Sequence, residues 1–164
     1  MNAGYQGTRT PPGRASAAPP AAVATAVPAA APAAVPIGDA QFLAALEDCS
    51  LPADCFDHAA HVRAGYLYLC GQPFPPAAAA MCTTIANYVR ALGKPDRYHE
   101  TITVAFMALI NAQLRRHGDG GGWDGFRARN PELLRRDALL AYYPRAVLES
   151  DEARASFTLP PLPG

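Results

Sequence analysis

Apolar residues recur at helical spacing through most of the chain after Gly38. The clearest example contains Met81, Ile85, Val89 and Leu92, where an apolar residue returns every third or fourth position. No segment shows the sustained alternation of apolar and polar residues that a half-buried strand requires. The pattern therefore predicts an all-α protein whose domain is a compact bundle of four to six helices.

Capping residues and glycines indicate where the first two helices begin and end. We expect the first to start at an N-cap residue, Asp39, and to stop by Pro52. The second is expected to start at an N-cap residue, Asp57, and to end at Gly71, because glycine readily adopts the left-handed conformation that closes a helix.

Proline and glycine also delimit the later helices. The third should open at Pro75 and Pro76 and end at Gly93, and the fourth should run from about Arg97 to His117. After the fourth we expect shorter elements: a helical turn at Trp123 and Phe126, a helix opened by Pro131 and halted by Pro144, and a last short helix within residues 147–157.

The ends of the chain differ in composition from the middle. Residues 1–37 are mostly Ala, Pro, Gly, Thr and Ser, without the large apolar side chains that could offset the entropy of ordering them. We therefore expect a disordered arm at 1–37, the helical domain at 38–157 and a proline-rich tail at 158–164. Prolines interrupt the Ala/Val-rich part of the arm, which argues against a signal peptide or a membrane helix there.

Charge and cysteine content narrow the class of protein. Fourteen basic residues balance fourteen acidic ones, so no overall field would attract nucleic acid or an anionic membrane surface. The four cysteines form no C-x-x-C pair and lie among apolar residues, as reduced cysteines do. These features predict a soluble cytoplasmic protein with no nucleic-acid or membrane partner; they indicate no particular oligomeric state.

Three of the four histidines lie in two short stretches. His58 and His61 are three residues apart near the start of the second helix, and His99 lies near the start of the fourth. A helical wheel turns the first two towards the apolar stripe and puts His99 in line with Phe106 and Ile110. If the third helix returns between the second and the fourth, these imidazoles lie at the same end of the bundle and can converge.

Convergent imidazoles on neighbouring helices are a common way for a bundle to hold a divalent metal. We therefore predict a zinc or iron site with His58, His61 and His99 as ligands and Glu100 as a fourth ligand or the general base. The metal would acidify a bound water or polarise a substrate carbonyl. The predicted protein is a small metal-dependent enzyme of hydrolase, lyase or isomerase type that acts on a small polar organic molecule.

Two alternatives use the same residues differently. In a metal-free acid–base enzyme the histidines move the proton, while Tyr66 and Tyr98 donate hydrogen bonds to a developing oxyanion. In either enzyme Arg97 could bind a substrate carboxylate or phosphate, and Thr103, facing inwards, could support a ligand. The second alternative is a non-enzymatic helical binding module, in which the histidines stabilise the core and the arm or a surface groove binds a partner protein.

Several stretches resemble a family of small all-α bacterial proteins. They are F-D-H-A-A-H-V-R-A-G-Y-L-Y-L and R-Y-H-E-T-I-T, followed by a W-x-x-F turn, N-P-E-L-L and Y-Y-P. The resemblance covers roughly Phe56 to Phe157. H-x-x-H-V and Y-H-E-T-I-T are the stretches typical of this family. The resemblance implies an all-α fold. Because the family is uncharacterised, the resemblance implies no particular reaction.

Overall fold

The computed structural model describes residues 37–161, and this part of the chain is helical with no strand. Its seven α-helices are α1 Asp39–Glu47, α2 His58–Gly71, α3 Phe74–Ala91, α4 Glu100–His117, α5 Trp123–Arg129, α6 Arg145–Leu148 and α7 Asp151–Ala155. Four 3₁₀-helices lie between them, at Ala53–Cys55, Pro95–Arg97, Pro131–Leu134 and Ala138–Ala141. The all-α prediction is confirmed.

The predicted helix ends are confirmed where the residue that ends the helix acts within its own turn. The Asp57 carboxylate caps α2 by accepting a 2.8 Å hydrogen bond from the Ala60 N–H, and Gly93 follows α3 with a φ of +69°. Asp39 was expected to cap α1 but is its first helical residue, because its carboxylate binds Arg63 of α2 instead. Gly71 is the last residue of α2 without the expected left-handed conformation.

The segment after α4 differs from the prediction. The helix expected from Pro131 to Pro144 is two separate 3₁₀-helices, and residues 147–157 contain the end of α6 together with α7. The predicted arm at 1–37 lies outside the described residues except for Ile37, as do residues 162–164 of the predicted tail. No helix within residues 37–161 is long and apolar enough to cross a membrane.

Three helices, α2, α3 and α4, form the centre of the domain, and each packs against the other two. Helices α2 and α4 are parallel. His58 at the start of α2 packs against Phe106, and Gly65, two turns later, lies against Ile110. Helix α3 runs antiparallel to both. Tyr68, late in α2, contacts Thr84 near the middle of α3, whereas Phe56, just before α2, contacts Tyr88 near the C-terminal end of α3.

The apolar core has two parts that share α2. Phe42 and Leu46 of α1 pack with α2 and α3 in one part. In the other, Val62 and Phe106 pack with Phe126 and the segment that follows it. The C-terminal segment therefore covers the face formed by α2 and α4, and side chains at the ends of these two helices hold it there through its backbone carbonyls.

Candidate functional site

His99 is the N-cap residue of α4, with an extended backbone of φ −147° and ψ 107°. Its Nδ1 accepts a 3.3 Å hydrogen bond from the Ile102 N–H, and its Nε2 lies 2.8 Å from the carbonyl oxygen of Leu148. Because an amide N–H only donates and a carbonyl only accepts, the ring is the neutral tautomer with its proton on Nε2. Both ring nitrogens of His99 are therefore used within the fold.

This position corrects the helical-wheel prediction for His99. The wheel required a helix that begins at about Arg97, whereas residues Pro95–Arg97 form a separate 3₁₀-helix and α4 begins at Glu100. The buried His99 side chain therefore folds over the end of α4 instead of lying in line with Phe106 and Ile110. The residue fastens the C-terminal segment to α4.

His58 has a comparable role on α2. It is the first residue of that helix, and its Nε2 donates a 3.0 Å hydrogen bond to the carbonyl oxygen of Leu133. Its ring packs edge-on against Phe106, with 5.0 Å between ring centroids. His58 therefore attaches the 3₁₀-helix Pro131–Leu134 to α2.

His61 differs from the other two in having an enclosed nitrogen without a partner. Its Nε2 is inaccessible to solvent and forms no hydrogen bond with any residue between 37 and 161. Burial, together with the neighbouring His58, lowers the pKa of His61 to about 4, so the ring is neutral at pH 7. An enclosed polar atom left unpaired costs about 1–3 kcal/mol, which makes this nitrogen a candidate for contact with a bound molecule.

A cleft of about 350 Å³ has His61 on its wall, and we call it the His61 cleft. Most of its lining is apolar or aromatic: Phe56, Ile85, Tyr88, Val89, Leu92 and Ile102. Exposed Lys94 and Arg97 supply positive charge, and His99 and Thr103 complete the polar part of the lining. A mainly apolar cleft of this size with a few polar groups is typical of small-molecule sites.

The two predicted substrate-binding residues, Arg97 and Thr103, thus line one cleft with His61 and His99. The Thr103 hydroxyl donates a 2.9 Å hydrogen bond to the carbonyl oxygen of His99, so it supports the start of α4. Sequence reasoning missed Lys94 and Tyr88. The loop between Gly93 and Pro95 was a signal for Lys94, because that loop reaches the same end of the bundle as the histidines.

Glu100 and Tyr98, both predicted as catalytic, contact each other and do not line the His61 cleft. The Tyr98 hydroxyl donates to the Glu100 carboxylate, and the Cys82 Sγ lies 3.8 Å from the same carboxylate. Burial, reinforced by Cys82 and Glu100, raises the pKa of Tyr98 far above its usual value. Glu100 is the first helical residue of α4, where the helix dipole favours a carboxylate.

Tyr66, the third predicted catalytic residue, lies eight residues beyond His58 on α2, which is about 12 Å along the helix. Its hydroxyl donates a 3.1 Å hydrogen bond to the carbonyl oxygen of Asp119, and its ring packs on Phe126. Burial raises its pKa above the normal range. Tyr66 therefore holds the loop after α4 and does not approach the His61 cleft.

The predicted convergence of His58, His61 and His99 on a metal is not supported by the structure. Among residues 37–161 no three His, Cys, Asp or Glu side chains are arranged to hold a metal ion. The reason lies in the hydrogen bonds, since Nε2 of His58 and of His99 each donates to a carbonyl. In this structure those two nitrogens are therefore committed to the fold, and zinc or iron binding stays a prediction from the sequence.

The depressed pKa of His61 predicts that stability falls as the pH is lowered. In the unfolded chain the imidazole takes up a proton near pH 6.5, whereas in the folded domain it does so only near pH 4. The unfolded state therefore binds more protons between these values, and the stability gained from neutral His61 is complete above pH 6.5 and lost towards pH 4. We expect this one residue to lower the free energy of unfolding by about 2 kcal/mol between pH 7 and pH 5.

Urea unfolding at the two pH values measures this effect. In His61→Leu the loss should shrink by about 2 kcal/mol, because the titrating group is gone. The matched variant His117→Leu, at the exposed end of α4, should keep the pH dependence of the wild type. Equal pH dependence in the wild type and His61→Leu would show that His61 titrates normally in the folded domain.

Fold and cleft together define a small all-α domain with a half-buried histidine, whose Nε2 is enclosed, on the wall of a mainly apolar cleft. Comparisons of the chain with protein-family models, with curated proteins and with solved structures found no match. Functional reasoning therefore starts from the cleft and its chemistry.

Proposed function

We propose that this domain binds a small, mainly apolar organic anion in the His61 cleft. The observation that carries the proposal is the enclosed His61 Nε2 without a hydrogen-bond partner in the described part of the chain, in a side chain that lines the cleft. Because the nitrogen is covered in the structure, a ligand reaches it only by displacing the side chains around it; a hydrogen-bonding group that does so removes the cost of leaving the nitrogen unpaired. Metal ions are not required for this role.

The other lining residues indicate the chemistry of the ligand. Phe56 and Tyr88 pack edge-on at 5.1 Å between ring centroids, and such aromatic walls favour a flat or aromatic body. Lys94 and Arg97 form no ion pair with any residue in the described range, so their charge is available to a carboxylate. We therefore infer an aryl carboxylate or a molecule of similar shape and charge.

Binding fits the cleft better than proton transfer does. A general base works best when its pKa is near the working pH, and a His61 pKa of about 4 makes its imidazole a weak base. The metal-dependent enzyme stays a prediction from the sequence. For a metal to bind Nε2 of His58 and of His99, each histidine would first have to give up its hydrogen bond to a carbonyl.

Titration of the ¹⁵N-labelled chain with phenylacetate and 3-phenylpropanoate, monitored by NMR, tests the proposal. We expect shifts in the backbone amide signals of Lys94, Arg97 and Thr103 and in the ring signals of His61. The two corresponding amides, which have the same shape without the charge, should bind at least threefold more weakly because the contact with Lys94 and Arg97 is lost.

Variants identify the site. His61→Phe removes the ring nitrogens and adds bulk, and it should weaken binding at least tenfold, whereas Arg97→Gln should weaken it two- to fivefold. His117→Phe and Arg116→Gln make the same changes at the exposed end of α4 and should bind like the wild type. The proposal is wrong if neither carboxylate shifts the signals of the cleft, or if His61→Phe binds both as well as the wild type does.

A further inference from the structure

A second cleft, of about 470 Å³, adjoins the His61 cleft, because His99 and Ile102 line both. Its apolar floor includes Phe106, Leu139 and Leu148. Arginines 136, 145 and 154 line the same space, so we call it the arginine cleft. Its volume falls within the range of small-molecule sites.

The acidic side chains of the arginine cleft already have partners. Glu149 forms an ion pair with Arg145 at 3.6 Å, between neighbouring turns of the chain. Asp137 is bound in a bidentate manner by Arg135, at 2.9 and 3.0 Å. Each carboxylate on the wall is therefore balanced by one guanidinium.

Two arginines in the cleft remain without an acidic partner among residues 37–161, namely Arg136 and Arg154. Arg154 Nη1 donates hydrogen bonds of 2.9 and 3.3 Å to the carbonyls of Asp96 and Tyr98, which fixes its position and leaves its other N–H groups free. Arg136 forms no hydrogen bond through its side chain in this part of the molecule and is exposed. The cleft thus combines an apolar floor with two uncompensated positive charges.

We propose that the arginine cleft binds a phosphate monoester with an apolar body. A phosphate monoester carries a charge of about −1.5 to −2 at neutral pH, which matches the two guanidinium groups that have no acidic partner. The planar fork of N–H donors on arginine also suits phosphate oxygens. In this arrangement Arg136 and Arg154 hold the phosphate, and the apolar body lies on Phe106, Leu139 and Leu148. The proposal is independent of the ligand proposed for the His61 cleft.

NMR titration of the full ¹⁵N-labelled chain with three probes tests this site: hexyl phosphate, inorganic phosphate and hexan-1-ol. Hexyl phosphate should bind at least tenfold more tightly than either of the others, because only it offers both the charge and the apolar chain. Its largest shifts should fall on Arg136, Arg154 and Leu148. Arg136→Gln and Arg154→Gln should each weaken binding at least fivefold.

Matched variants separate this site from the rest of the molecule. Arg116→Gln removes an exposed arginine at the far end of α4, and His61→Phe blocks the other cleft; both should change the affinity for hexyl phosphate less than twofold. Arg136→Gln is the decisive variant, since the Arg136 side chain forms no hydrogen bond or ion pair within residues 37–161 on which folding could depend. The proposal is overturned if hexyl phosphate does not bind, if inorganic phosphate binds as tightly, if Arg136→Gln binds like the wild type, or if the shifts map to Lys94 and Arg97 instead.

Discussion

Replacing His99 by alanine should lower the free energy of unfolding by about 3 kcal/mol. The imidazole caps α4 through its Nδ1, and losing an N-cap side chain costs about 1 kcal/mol. The same ring donates to the Leu148 carbonyl, and a partly buried carbonyl left without its donor costs about 1–3 kcal/mol more. Both interactions are lost when the one imidazole is removed, so we expect the two free-energy costs to add.

Urea unfolding followed by circular dichroism at pH 7 measures the change. His99→Asn restores a capping side chain without a donor that reaches Leu148, so it should recover about 1 kcal/mol of the loss. His117→Ala removes an exposed histidine at the other end of α4 and should change stability by less than about 0.5 kcal/mol. A His99→Ala protein as stable as His117→Ala would mean that His99 does not hold the C-terminal segment.

The same measurement distinguishes a structural histidine from a metal ligand. If His99 held a metal, removing the metal from wild-type protein with a chelator would destabilise it about as much as His99→Ala does, because the binding free energy would be part of the folding free energy. With His99 committed to Ile102 and Leu148, we expect a chelator to leave the unfolding curve of the wild type unchanged.

Local signals in the sequence were sufficient for much of the fold. Asp57 caps α2 because the donor it needs, the Ala60 N–H, is three residues away, so the motif is complete within one turn. Gly93 closes α3 for an equally local reason, since its φ of +69° is one that glycine adopts without strain. Asp39 looked the same in the sequence, but the partner that engages its carboxylate, Arg63, lies on another helix.

The site depended on information that the sequence does not display. The wheel for His99 needed the start of α4 to be known to within a residue or two, and sequence patterns rarely give helix ends that closely. The partners of His58 and His99 are carbonyls 75 and 49 residues away. Every residue has a carbonyl, so no residue type at Leu133 or Leu148 could have marked them as partners. The sequence therefore singled out the three histidines, but not the carbonyl partners of His58 and His99.

Gly65→Leu should destabilise the domain by about 3 kcal/mol, since Gly65 lies in the contact between α2 and α4. A Cβ atom at this position would be 2.9 Å from Ile110 Cδ1 and 3.0 Å from Met107 Sδ. Both atoms are ends of flexible side chains and can move a little, but Ile110 and Met107 are buried and leave no room for a whole leucine side chain. Overpacking of this kind costs about 1–3 kcal/mol, and here it would push two central helices apart.

Two variants show whether the cause is crowding between the helices. Gly65→Ala adds only the Cβ, whose contact cost is offset by the higher helix propensity of alanine, about 1 kcal/mol, so its stability should stay near that of the wild type. Gly71→Leu makes the larger change on the same helix with no atom within 4 Å of the new Cβ, and should not destabilise. If Gly65→Leu unfolds no more easily than Gly71→Leu, then α2 and α4 do not pack at Gly65, and the parallel arrangement that brings His61 and Thr103 to one cleft is wrong as well.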